Sequence, residues 1–123
     1  SCMARGETLP LYHKLYGLTK FLYGAVRSFP KEYKYSIGHD LVRLSWECLD
    51  LVLEVNAVSN TDKPKVISRL DACCEKLRLR VRMSQEIQLF SPGQFAHIQE
   101  QYLLEIGRMI GGWKKWSEKA VAR

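Results

Sequence analysis

The sequence has no run of apolar residues approaching the ~18 needed to cross a bilayer, and no apolar core of a secretory signal near its N-terminus. A membrane-spanning or exported chain is therefore not expected, and a cytoplasmic protein is. It also lacks any Cys-x-x-Cys pair. Its cysteines are Cys2, Cys48, Cys73 and Cys74, two of them adjacent, which is poor geometry for a mutual disulfide and poor spacing for zinc. Free, buried thiols in a reducing compartment are the expectation. Catalytic signatures are missing as well: there is no His-Glu-x-x-His, Gly-x-Ser-x-Gly or phosphate-loop pattern, and no Glu-x-x-His pair to build a carboxylate di-metal site. His13, His39 and His97 are scattered. The sequence points to no enzyme, no metal and no cofactor.

What is present fits one domain with a core of its own. The chain has 123 residues, 46% hydrophobic and 26% charged, so it needs no staple and disorder is expected only at the ends. The expected division is a flexible N-terminus over residues 1–10, a helical domain over 11–116, and a flexible basic C-terminus over 117–123. The formal net charge of +6 and the pI near 9.3 point toward anionic partners. That charge is unevenly placed. Residues 36–62 carry one base and five acids, whereas residues 63–82 carry seven bases and two acids.

Proline, glycine and small polar residues cut the chain into four segments, at Pro30, at Asn60 to Pro64, and at Ser91 to Gln94. In the last, Ser91 can cap a helix, Pro92 suits its first position and Gln94 completes a capping box. Each segment carries a stripe at helical spacing. The stripes are Leu11, Leu15, Leu18, Leu22, Ala25, Phe29; then Ile37, Leu41, Leu44, Cys48, Leu51, Val52, Val55; then Leu70, Cys73, Cys74, Leu77, Val81, Ser84; and last Phe95, Ile98, Tyr102, Ile106, Met109, Ile110, Trp113. Four amphipathic helices on short connections predict an all-α, antiparallel, up-down-up-down four-helix bundle. The alternation in Leu77 to Met83, LRLRVRM, lasts seven residues inside a much longer helical stripe, so helix outweighs strand there. Arg78 and Arg82 then stack on one side, and Arg80 falls on the other with Lys76 and Arg69.

Two helices have more apolar surface than one stripe needs. In the second, Val42, Trp46, Leu49, Leu53 and Ala57 lie opposite the core stripe; in the third, Ala72, Leu79, Met83 and Phe90 do. Either these bury deeply in the same core or they meet other copies, and self-association is the preferred expectation. Gly107 and Gly111 either admit another backbone or, with Gly112, stop the last helix. Lys63, Lys65, Arg69, Lys76, Arg78, Arg80 and Arg82, with Lys114, Lys115 and Lys119 nearby, either grip phosphate or form a solvated face paired with the acids of the second helix. Tyr12, Tyr16 and Tyr23 form a side stripe that can stack on bases or pack between helices.

The order LDACCEKLRLRVRMSQEIQLFSPGQF followed by LLEIGRMIGGW resembles the Avd proteins, the accessory variability determinants of diversity-generating retroelements, and their wider S23 ribosomal protein-like relatives. The resemblance covers roughly residues 12–116. It implies a four-helix bundle assembled as a homopentameric barrel, which is no enzyme itself but binds RNA or DNA and the retroelement's reverse transcriptase in mutagenic retrohoming. It also implies basic positions at Arg78, Arg82 and Arg108. The alternative is a structural or interaction module of the S23 type with no reverse-transcriptase role.

Overall fold

The computed structural model describes residues 5–122, with side chains from residue 9 to residue 119. Helix α1 spans Arg5–Val26; α2 is a rod made of Lys31–Tyr33, a π-helical stretch Lys34–Gly38, and His39–Ala57; α3 spans Lys63–Glu86; α4 joins Pro92–Ile98, a second π-helical stretch Gln99–Leu103, and Leu104–Ala122. No strand occurs among the described residues. The flexible ends expected at 1–10 and 117–123 fall partly outside the described residues; within them, helix begins at Arg5 and ends at Ala122.

The punctuation works as the sequence predicts. Pro30 precedes the first turn of α2, and Pro64 sits in the first turn of α3. At α4 the capping box is complete, with Gln94 N–H donating to Ser91 Oγ and Ser91 N–H donating to Gln94 Oε1, both at 3.0 Å. Helix α3 ends in a Schellman turn, in which Leu89 N–H reaches the Ser84 carbonyl at 2.8 Å and Gln88 takes a left-handed φ of 65°.

Neighbouring helices run antiparallel, because partner numbers fall as residue numbers rise. Along α2, Asp40 meets Arg80, Cys48 meets Cys73 and Glu54 meets Arg69 of α3. Arg78 meets Leu103 and Asp71 meets Lys114, which fixes α3 against α4, and Lys14 to Gln101 closes α1 onto α4. The result is a four-helix bundle. Its first-helix stripe is buried throughout, as is that of α3. Ile37, Leu51, Phe95, Tyr102 and Met109 are only half buried. Gly38 is where α2 crosses the end of α1: a Cβ there would lie 2.8 Å from Val26 Cγ1 and 3.2 Å from the Tyr33 carbonyl.

Several buried core residues lie outside the predicted stripes, among them Val26, Val66, Ile67 and Leu103. Leu103 is fully buried, five positions after Ile98, where a regular helix would place the next inward residue at three or four. The π-helical stretch Gln99–Leu103 supplies the extra residue and hands the stripe on in register to Ile106, Ile110 and Trp113. The buried hydroxyls of Thr19, Ser45, Ser84 and Ser117 each donate to a carbonyl of their own helix at 2.7–3.0 Å, so none is left unpaired.

Candidate nucleic-acid interface

Helix α3 is the basic element, and its cations fall into two kinds. Arg78 is held by its own chain: Nη2 donates to the Leu103 carbonyl at 2.8 Å, and Nε lies 3.5 Å from Glu75 Oε1. Its guanidinium lies across Gly107, where a Cβ would come within 2.2 Å of Nη2. The close approach expected at Gly107 is therefore made by a side chain, not by another backbone. Gly111 and Gly112 have nothing within 4 Å of a notional Cβ, and α4 continues through both to Ala122. Lys63 is also held by its own chain and, unlike half-buried Arg78, is internal at 3% exposure. Its Nζ donates to the Val55 and Val58 carbonyls, both at 2.8 Å, and so caps the C-terminus of α2.

Arg69, Arg80 and Arg108 are bound by surface pairs. Arg69 lies 3.3 Å from Glu54 Oε2, and Arg80 lies 3.8 Å from Asp40 Oδ2 while donating to the Lys76 carbonyl at 3.2 Å. Arg108 grips Glu105 with two nitrogens, the Nε contact being 3.0 Å. That guanidinium holds the Glu105 carboxyl below its usual range. Lys114 pairs with Asp71 at 3.0 Å, which raises the ammonium's pKa. Pairs this exposed are screened by water and salt and add little net stability, so a phosphate can displace the carboxylate at little cost. Lys65, Lys76, Arg82, Lys115 and Lys119 are exposed and make no ion pair among the described residues.

Helical geometry sorts these groups into the two predicted edges. Arg69, Lys76 and Arg80 follow the flank toward α2, and Arg78 and Arg82 follow the flank toward α4. Arg108 lies on α4 itself. Between the edges runs an exposed ridge of Ala72, Leu79 and Met83.

The second apolar faces are smaller than the sequence suggests. Leu49 and Phe90 belong to the core, at 3% and 2% exposure, and Phe90 packs edge-on against Phe29 with ring centroids 5.4 Å apart. Trp46, Leu53, Leu79 and Met83 remain in solvent, and Ile87, Tyr33 and Tyr35 join them. Leu79, Met83, Ile87, Tyr33 and Tyr35 line a groove of about 580 Å³ between α2 and α3. Residues 33, 35 and 87 escape a reading by periodicity because they sit where a π-helical stretch or a helix end breaks the period. On α1, Tyr12 stacks on Tyr16 at 5.9 Å and Lys20 lies over the Tyr16 ring, while Tyr23 Oη accepts from Trp46 Nε1 at 2.9 Å.

The fold and this surface define a small all-helical bundle whose chemistry is charge and apolar contact. No helix among the described residues is long and apolar enough to cross a membrane. Residues 10–117 match the sequence pattern of the bAvd-like family, and the chain belongs to that family. The membership suggests an accessory protein of retroelements. No curated protein and no solved structure matches the chain.

Proposed function

We propose that the chain is an oligomeric, nucleic-acid-binding accessory protein to a retroelement reverse transcriptase, supporting mutagenic retrohoming. The observation that carries this reading is the set of unpaired cations on α3, Lys65, Lys76 and Arg82, in a chain of the bAvd-like family. Around them, Arg69, Arg80 and Arg108 have only surface partners and can turn to phosphate. Arg78 contributes by holding α4 in place. Binding is then largely sequence-independent and steeply salt-dependent, since each neutralised phosphate releases counterions.

The test is fluorescence anisotropy with single-stranded RNA and DNA across a salt series, on the native chain and on the Lys76→Glu/Arg82→Glu double variant. Neither residue is in the core, so the variant stays folded. Affinity is expected to fall by tenfold or so, with the log–log salt slope reduced by roughly 0.7 for each phosphate that is no longer neutralised. Unchanged affinity and slope would remove these residues from the interface. A second reading, an S23-type structural module with no reverse-transcriptase role, draws support from Arg69, Arg78, Arg80 and Arg108 being engaged within their own chain. Under that reading the native chain binds neither RNA nor DNA, and reverse transcriptase does not co-purify with it.

A further inference from the structure

We propose that Cys48 and Cys73 are a modification site: an oxidisable thiol pair that hydrogen peroxide converts into a disulfide joining α2 to α3. The two sulfurs face each other across the antiparallel helix pair at 3.4 Å, with Cys74 Sγ 4.0 Å from Cys48. All three thiols are free. An S–S bond is about 2.05 Å long, so the sulfurs, already in contact, have roughly 1.4 Å left to close. Adjacent Cys73 and Cys74 cannot pair with each other as readily, because neighbouring residues fit disulfide geometry poorly. Cys48 is thus the shared partner, and Cys73 is its nearer neighbour.

The two sulfurs have different roles. Cys48 is fully enclosed, whereas Cys73 is 6% exposed on the floor of a groove lined by Glu47, Asp50, Glu54, Arg69 and Lys76. A reagent reaches Cys73 first. The Cys48 thiol donates to Cys73 Sγ and so lowers the Cys73 pKa, with the Lys76 charge acting in the same direction and with burial and the Glu47 carboxylate opposing. The hydrogen bonds to Cys73 and Cys74 and its own burial push Cys48 far up. Cys73 is accordingly the attacking thiolate and Cys48 the resolving thiol. The Cys73 thiolate attacks one oxygen of the peroxide, the O–O bond breaks, and a sulfenic acid and water result once the leaving hydroxide takes up a proton. Cys48 then attacks that sulfur, the S–O bond breaks, and the second water leaves with the Cys48 proton. Two thiols are oxidised and one peroxide is reduced to two waters.

The experiment uses the full chain, reduced, freed of reductant and treated with hydrogen peroxide. Intact mass should fall by two hydrogens, and non-reducing tryptic mapping should join the peptide containing Cys48 to that of residues 70–76. Because the second peptide contains both adjacent cysteines, variants assign the link: it should persist in Cys74→Ser and disappear in Cys73→Ser and Cys48→Ser. In Cys48→Ser, Cys73 should accumulate as a sulfenic acid trapped by dimedone. As a check independent of how the variants fold, timed alkylation of the native chain should label Cys73 before Cys48 and Cys74. A link that survives Cys73→Ser, labelling of Cys74 ahead of Cys73, or no link in a chain whose thiols all alkylate after denaturation would each overturn the proposal.

Discussion

Arg78 joins the two most distinctive stretches of the chain. It comes from LRLRVRM, and it lies over Gly107 of the IGRMIGGW run while donating to the Leu103 carbonyl at 2.8 Å. Sequence periodicity places it on a solvent edge four residues from Arg82, and that angular position is right. What draws its head inward is the missing Cβ of Gly107 and a carbonyl on another helix, neither of which the spacing of α3 can reveal. The two residues should therefore be energetically coupled. In an Arg78→Ala background, Gly107→Ala should stabilise the bundle by about 0.5–1 kcal/mol, the usual gain of alanine over glycine within a helix. In the native background the same methyl displaces Nη2 from its carbonyl, and a penalty of about 1 kcal/mol or more cancels or reverses the gain. Urea unfolding of the four members of this cycle measures the difference; strictly additive effects would mean that the guanidinium has no preferred seat over Gly107.

Helix α4 depends on its π-helical stretch. Two carbonyls of that stretch take side-chain donors from neighbouring helices, Gln101 from Lys14 at 2.9 Å and Leu103 from Arg78, so the widened turn is stapled on both sides. The stretch also corrects register, since Ile98 and Leu103 both face the core although they are five positions apart. Deleting exposed Glu100 should convert the turn to regular helix with Leu103 four residues after Ile98, still on the inner face. The expected cost is that of one or two staples, about 1–3 kcal/mol, with the helical spectrum retained. Deleting Arg108, equally exposed, has no such slack: it rotates Ile110 and Trp113 by about 100° away from the core, and a cooperative thermal transition should be lost. Equal damage from both deletions, followed by circular dichroism, would refute a register role for the stretch. The contrast also marks what is legible in the sequence. Four helices, their breaks and the Ser91 capping box follow from local signals; Leu103 and the half-buried Tyr102 do not, because a one-residue insertion shifts the period without leaving a proline or glycine behind. The internal fate of Lys63 is hidden for a related reason: the carbonyls it caps belong to the preceding helix.

At the scale of the molecule, charge and apolar surface share one face of α3. Leu79 and Met83 are 49% and 47% exposed and stand between the edge of Lys76 and Arg80 and the edge of Arg78 and Arg82. A ridge of this kind gains by burial at roughly 25 cal/mol for each Å² removed from water, and the adjoining groove with Tyr33, Tyr35 and Ile87 extends it. If copies of the chain meet along this ridge, basic edges of neighbouring copies are brought side by side, and weak phosphate contacts add through effective concentration. Assembly and binding are then separable by mutation. The Leu79→Glu/Met83→Glu variant keeps the buried core intact, so it should remain helical while light scattering shows a smaller particle than the native chain, approaching the 14.3 kDa of one copy. Its affinity for a long single strand should fall about a hundredfold or more, the scale on which multivalency acts, whereas its affinity for an oligonucleotide too short to bridge two copies should change little. Lys76→Glu/Arg82→Glu should do the converse, weakening both ligands at unchanged particle size. A native chain that scatters as a single copy, or a ridge variant that shrinks without losing affinity for the long strand, would separate the apolar ridge from nucleic-acid binding and leave the cations to act alone.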